Sequence, residues 1–567
     1  MQRWVTGAEP AHSLCSTRLS RDAVALELMK TILSVTVSLF LVLPSFRATF
    51  ADDLLPADQP IPTVIDHYID LALVDTEVIP SAPATDANMA RRLYLDLVGR
   101  IPSMAEAQSF VAAADDSKKQ QLIDRLIVSP GFIRHQANEF DAMLMNGKGS
   151  IRDYLLTAFR EHRRWDEMFR ELILGESADV EQKGAIQFVR SRAQDLDKLT
   201  NETSVMFFGV NVSCAKCHDH PLVDAWTQNH FYGMKSFFSR TFDNGGLIGE
   251  RDYGLVSFTT TAGESRQASM LFLNGTEVEE PAPKEPSDEE KKQESQRLEE
   301  LKKNKQPPPP PEFSRRAQLV RVALESQSNN YFAKAIVNKT WNRFFGSGIV
   351  MPIDQMHPEN EPSHPQLLEW LARDLINNGY DLTRLTRGIL LSNAYARTSM
   401  WEGEQPPEPS LFAVALPRPL TPFQYATTLR FGSRSPETFA SDLSVEDHEK
   451  RVEAVETSAR GLATLFEQPY DAFQISVSEA LLLSNGDRAE NELLREDADS
   501  LVNKLKVLTD RHQIIETAIW SILSRPPTAD EFSMFDQYLA ARENQPIQRC
   551  QQIIWILLTS SENRFNY

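Results

Sequence analysis

The stretch Cys214-Ala215-Lys216-Cys217-His218-Asp219-His220 sets two of the chain's 4 cysteines three positions apart, with one histidine directly after the pair and another two places on. With 4 Cys and 11 His in 567 residues, a random shuffle yields Cys-x-x-Cys-His in roughly one try in two thousand, for a pattern that reads as c-type haem attachment. Four chemistries use these residue types. In the first, the two thiols meet the two vinyl groups of a haem, and His218 swings onto the iron. Met234, His230, Met206 and Met270 are then candidates for the opposite axial position, whereas His220 lies too close to His218 to reach round the ring. In the second, Cys214, Cys217, His218, His220 and His230 offer more donors than a tetrahedral zinc site needs. The missing second Cys-x-x-Cys or His-x-x-x-His half counts against it, and an open fourth position would point to hydrolytic chemistry. In the third, the pair cycles between dithiol and disulfide, although no thioredoxin-like βαβ pattern surrounds it. In the fourth, a short disulfide pins the loop and the histidines are ordinary polar loop residues. The residues alone leave all four open.

The compartment bears on that choice. Met29-Lys30 precedes a mostly apolar run from Thr31 to Leu43, and Thr49 and Ala51 are small residues just ahead of Asp52. A basic start, an apolar stretch and a small-residue cut form a secretory signal. Residues 1–51 are therefore expected to be a signal peptide that starts at Met29, with a retained membrane anchor as the alternative. The mature chain would lie in the periplasm or cell envelope, where haem is attached to thiols and free thiols oxidise. No later segment reaches about 18 apolar residues, so no transmembrane segment is expected after signal cleavage. The net charge of −20 excludes a general nucleic-acid binder and favours solubility or cationic partners. Four cysteines in a chain of this length are no disulfide framework.

These residues have to be positioned by helices. Apolar positions recur at three-and-four spacing in "VIDHYIDLAL", "NMARRLYLDLVGRIP" and "IRDYLLTAFREHRRWDEMFRELIL". They do so again in "YFAKAIVNKTWNRFF", "HPQLLEWLARDLINN" and "HQIIETAIWSILS". The fold class is mainly α: two helical domains with a small β insertion and a Pro/charge-rich linker. The expected bounds are 52–246 for the N-terminal helical domain with the Cys-x-x-Cys-His motif, 247–280 for the β element, 281–312 for a disordered polyproline linker and 313–567 for the C-terminal helical domain. Ala262-Gly263 and Asn274-Gly275 mark turns between β-branched and aromatic runs. Within the linker, 288–304 reads as partly helical, and Pro307–Pro311 as a stiff extended run. Ser103/Glu106, Thr421/Gln424 and Thr528/Glu531 each follow an Arg-Pro theme and read as capping boxes.

"RRLYLDLVGRIPS", "LIDRLIVSPGF" and "CAKCHDHPLVDAWTQNHFYGMKSFF" resemble the first domain of a planctomycete cytochrome-associated family, domain of unknown function 1549. The run from "NNYFAKAIVNKTWNRFF" to "LTRLTRGILLSNAY" resembles its partner, domain of unknown function 1553. The resemblance covers most of 60–567 apart from the linker. It implies no established activity. Its cytochrome label rests on the Cys-x-x-Cys-His motif and on relatives with a separate cytochrome c-like domain at the N-terminus, which this chain departs from.

Elsewhere, "PIDQMHPENEPSHP" holds Asp354, His357, Glu359, Asn360 and His364, which form either a site or the turn and cap before the next helix. Trp341 and Phe344 read as core, Asp381 as a helix start and Cys550 as a buried free thiol. No phosphate loop, nucleophile elbow or zinc-protease helix appears. The leading expectation is a haem-c-binding, electron-transfer-associated protein. Cys214 and Cys217 would be its anchors, His218 the proximal ligand and Met234 the first distal candidate, with a redox partner protein. The alternatives are a zinc hydrolase acting on envelope polysaccharide, with His218, His220 and His230 as ligands, and a non-catalytic helical scaffold pinned by a Cys-x-x-Cys disulfide.

Overall fold

Each expected capping box starts a helix in the computed structural model. Ser103 and Glu106 exchange side-chain and backbone bonds at the head of Met104–Ala112. Thr421 and Gln424 do so at Pro422–Gly432, and Thr528 and Glu531 at Ala529–Ala540. The arginine three places before the cap explains the repeated theme. Arg100 bonds both carboxylate oxygens of Glu106, at 2.8 and 2.9 Å, and Arg525 grips Glu531 at 2.8 and 2.7 Å. Where the later residue is the neutral Gln424, the arginine, Arg418, turns to Asp96 instead.

The structure describes residues 54–175, 184–220, 223, 226–281, 285–325, 330–468, 477, 479–481 and 491–567. The signal-peptide expectation for 1–51 lies outside them. Residues 55–567 form one compact, mainly α-helical unit. Among the described residues no helix is long and apolar enough to cross a membrane.

The spine of this unit is α1 (Asp86–Val98), capped by the Thr85 side chain and ended by Gly99 in the left-handed region. Its sequence looks amphipathic, yet Arg91, Arg92 and Asp96 are as buried as its leucines. Arg92 bonds the carbonyls of Tyr395, Arg397 and Tyr567 at 2.6, 2.9 and 3.0 Å. Arg91 reaches the carbonyls of Ile522 and Asn563 at 3.3 and 3.4 Å. A two-residue strand pair, Arg418–Pro419 with Phe565–Asn566, lies beside Asp96. The two halves of the sequence thus share one interior.

The stretch 288–304 expected to be partly helical holds helix α2 (Asp288–Lys303), which starts at a fourth capping box, Ser287 with Glu290. Asn244 bonds the carbonyl of Leu298 at 3.0 Å, Tyr253 donates to Glu294, and the Gly254 amide donates to Glu285 at 3.3 Å. Leu298 is its one buried side chain. At the far end the Glu312 amide donates to Asp252 at 2.6 Å. These bonds make the helix an outer strap on the β region.

The β region itself is three antiparallel pairs. Strands β1 (Thr241–Asp243) and β2 (Ile248–Glu250) pair across the expected boundary at 246. Then β3 (Val256–Thr259) pairs with β4 (Ser265–Ala268), and β5 (Met270–Leu271) with β6 (Glu277–Val278). Gly263 and Gly275 take φ of +84° and +82° in the last two turns, where a side chain would be strained.

Candidate functional site

Helix α3 (Leu196–Phe208) delivers the chain to the cysteine motif. It ends at Gly209, whose φ of +66° reverses the backbone. The chain then runs against the 351–357 loop from the other half. The Met356 amide donates to the Gly209 carbonyl at 2.9 Å, and the Asn211 amide to the Asp354 carbonyl at 2.9 Å. The Asn211 side chain works in two directions. Its amide donates to Asp354 at 3.3 Å, and its oxygen accepts from Ser213 N and Oγ at 3.1 and 2.6 Å. This last pair starts the short 3-10 turn Ser213–Lys216 that carries the thiols.

Cys214, on that turn, and Cys217, which caps its end, are both free and exposed. The turn is braced from behind by α4 (Gln228–Ser236). Gln228 and Tyr232, one helical turn apart, both donate to the Lys216 carbonyl at 3.3 Å. Tyr232 stacks on Phe258 of β3 with ring centres 4.2 Å apart. Lys216 and Lys235 share Asp197, at 2.8 and 2.6 Å, and this pairing pushes the Lys216 ammonium above its usual range. Asp219 accepts from the Gln228 amide at 3.1 Å and so caps α4.

The three histidines of the motif region part company. His218 is exposed, and its Nδ1 lies 2.6 Å from the Asp219 carbonyl. A carbonyl only accepts, so Nδ1 is the donor in this contact. His220 is buried, with its ring edge-on to Trp226 at 5.5 Å. His230 is half-buried on α4, and its Nδ1 is enclosed without a hydrogen-bond partner. Burial lowers the pKa of both His220 and His230, and His357 and His218 lower that of His220 further.

The second-half loop also divides. His357 packs 6.0 Å from His220 and 5.9 Å from Trp226. Burial pushes its pKa down, with Glu359 pulling the other way. Lys339, on the helix Tyr331–Phe345 below, is pushed down to about 8 by burial against the pull of Asp354. Glu359 is exposed, Asn360 closes the loop on the Met351 and Gln355 carbonyls, and His364 lies on Phe412. Trp341 and Phe344 are core, Asp381 caps Leu382–Leu391, and Cys550 is buried.

The zinc set is not gathered. Among the described residues no group of three or more His, Cys, Asp or Glu is placed to hold a metal ion. Two free, exposed thiols are followed directly by the exposed imidazole of His218, the donor types that covalent haem attachment uses. Met234, the first distal candidate, is fully buried and lies about 200° round α4 from Tyr232. Met270 is buried in β5 as well. The residues the sequence missed are Asn211, Trp226 and Tyr232, and the pairing of His220 with His357. The last joins positions far apart in the chain, for which a single sequence carries no signal.

Two family models match the chain. Residues 64–243 match PSCyt2, a protein of unknown function (DUF1549), and residues 315–469 match PSD1, a protein of unknown function (DUF1553). The cysteine turn falls in the first and the His357 loop in the second. No curated protein and no solved structure matches.

Proposed function

We propose that this chain, which belongs to the family joining a DUF1549 (PSCyt2) domain to a DUF1553 (PSD1) domain, carries haem c on Cys214 and Cys217 and transfers electrons in the periplasm or cell envelope. The observation that carries this reading is the His218 Nδ1 contact with the Asp219 carbonyl at 2.6 Å, beside two exposed thiols. Metal-bound histidines usually spend their second nitrogen on such a partner, which fixes the tautomer and orients the ring. In attachment, each S–H adds across one vinyl double bond. A C–S bond forms, the proton passes to the neighbouring carbon, and no electrons change hands. When bound, haem supplies a one-electron couple. The chain's own part is to hold the turn, through Asn211 in front and Gln228 and Tyr232 behind, and to orient the His218 ring through its Nδ1 contact with Asp219. With a net charge of −20, the natural redox partner is a protein with a basic docking face, drawn in electrostatically.

Expression in a host with haem-attachment machinery tests this. The expected result is a Soret band and a covalent haem stain, both lost in Cys214→Ala and Cys217→Ala. His218→Ala should keep some covalent haem but shift the spectrum. A mature polypeptide with unmodified mass across 214–218 would overturn the reading.

A further inference from the structure

His220 and His357 come from the two family domains and meet under the surface beside Trp226. Their ring centres are 6.0 Å apart, with the ring planes inclined at 59°. With metal–nitrogen bonds of about 2.0–2.1 Å, two imidazoles sharing one ion at angles from tetrahedral to linear put their ring centres about 5 to 6.5 Å apart. The observed separation lies inside that range. His357 is 8% exposed, and its Nδ1 is enclosed with no hydrogen-bond partner. Buried polar nitrogens are nearly always satisfied, so an orphan of this kind points to something that fills it. Its position is no accident of a loose loop. The Met356, Asn360 and Asn211 bonds hold the His357 segment against the cysteine loop on both sides.

We infer that His220 and His357 form a two-imidazole site for a divalent transition-metal ion of the zinc type, separate from the cysteine pair. Among the described residues no third His, Cys, Asp or Glu joins them. The site would also tie the two domains together at the motif, because each supplies one ligand.

The test uses the full chain with Cys214→Ala and Cys217→Ala, which removes the thiols and any haem. Calorimetric titration with Zn2+ should give about one site per chain. Adding His357→Ala or the gentler His357→Gln should weaken it at least tenfold, as should His220→Ala. Cu2+ should quench a part of the tryptophan fluorescence that Trp226→Phe removes. This readout needs no histidine variant, so it decides the matter should those variants fail to fold. No Zn2+ uptake by the folded chain carrying Cys214→Ala and Cys217→Ala, or uptake unchanged in both His357 variants, overturns the site. Because the thiols are absent, neither result bears on haem attachment, which fails or stands by its own spectrum.

Discussion

Replacing Asp96 with alanine tests whether the two halves of the chain stand as one body. The Asp96 carboxylate is 4% exposed and sits on the spine helix. It accepts from Arg418 at 2.9 and 2.7 Å, from the Tyr395 hydroxyl at 2.7 Å and from Asn566 at 2.9 Å. All three partners come from the second half. Four bonds to a charged group, at about 1.5–3 kcal/mol each, would sum to about 6–12 kcal/mol. That sum overstates the loss, because the native pair has already given up its hydration and the terms are not additive. The better guide is the cost of leaving one buried charge unpaired, about 3–5 kcal/mol. Arg418 is left with the Arg343 carbonyl, at 2.5 Å. Urea unfolding followed by tryptophan fluorescence and by circular dichroism should show the midpoint fall with little change in slope. The paired change Asp96→Leu with Arg418→Met should cost less than Asp96→Ala alone. A loss below about 1 kcal/mol in the single variant would refute the reasoning. So would a wild-type chain whose halves melt in two well-separated steps.

Acid stability follows from the capping boxes. Burial raises the Glu106 carboxyl, but the charge and hydrogen bonds of Arg100, with the Ser103 amide, outweigh it and hold the group at about 2; hydrogen bonds from Arg525 hold Glu531 at about 2 likewise. Both groups have an ordinary value of 4.5. Their folded values are depressed, so their contribution is complete above that value and is lost as the pH falls from there through 2. Glu106→Gln should flatten this part of a stability-against-pH curve. In a thiol titration without haem, Cys214 and Cys217 should react at once. Cys550, whose thiol burial pushes up to about 11, should react only on unfolding. Gly209→Ala should cost about 1–2 kcal/mol from its left-handed backbone alone, since its nearest contacts would be ordinary ones at 3.4 and 3.5 Å. Gly233→Ala should cost about 1–3 kcal/mol or more by overpacking, because the new Cβ would lie 2.5 Å from Leu271 Cβ and 3.1 Å from its backbone nitrogen. Thermal melts rank the two.

What could be read ahead of the structure was local. Capping boxes at Ser103, Thr421 and Thr528 and turns at Gly263 and Gly275 depend on residues within a few positions of one another, and these stand where the sequence puts them. The buried face of the Asp86–Val98 helix was not legible. Arg91, Arg92 and Asp96 look like a solvated stripe until the carbonyls of Tyr395, Ile522 and Tyr567 arrive to pair them. The strap at 288–303 is helical as its sequence suggests, but its anchoring is not legible there. Its composition is that of a solvated segment, and only Leu298 turns inward, so hydrogen bonds rather than apolar burial hold it down.

The same distinction explains the motif. Its chemistry is written in three side chains within five positions, but its geometry is not. The turn Ser213–Lys216, which carries Cys214 and ends at Cys217, is only four residues long, too short to hold itself by helical cooperativity. It keeps its shape because Asn211 is gripped by Asp354 on one side and Lys216 by Gln228 and Tyr232 on the other. One of those grips belongs to the second domain. A first domain expressed alone would therefore lose the Asp354 contacts and the His357 wall behind His220, while the residues of Cys-x-x-Cys-His stayed intact. In this chain the second domain supplies the surface against which the first presents its thiols.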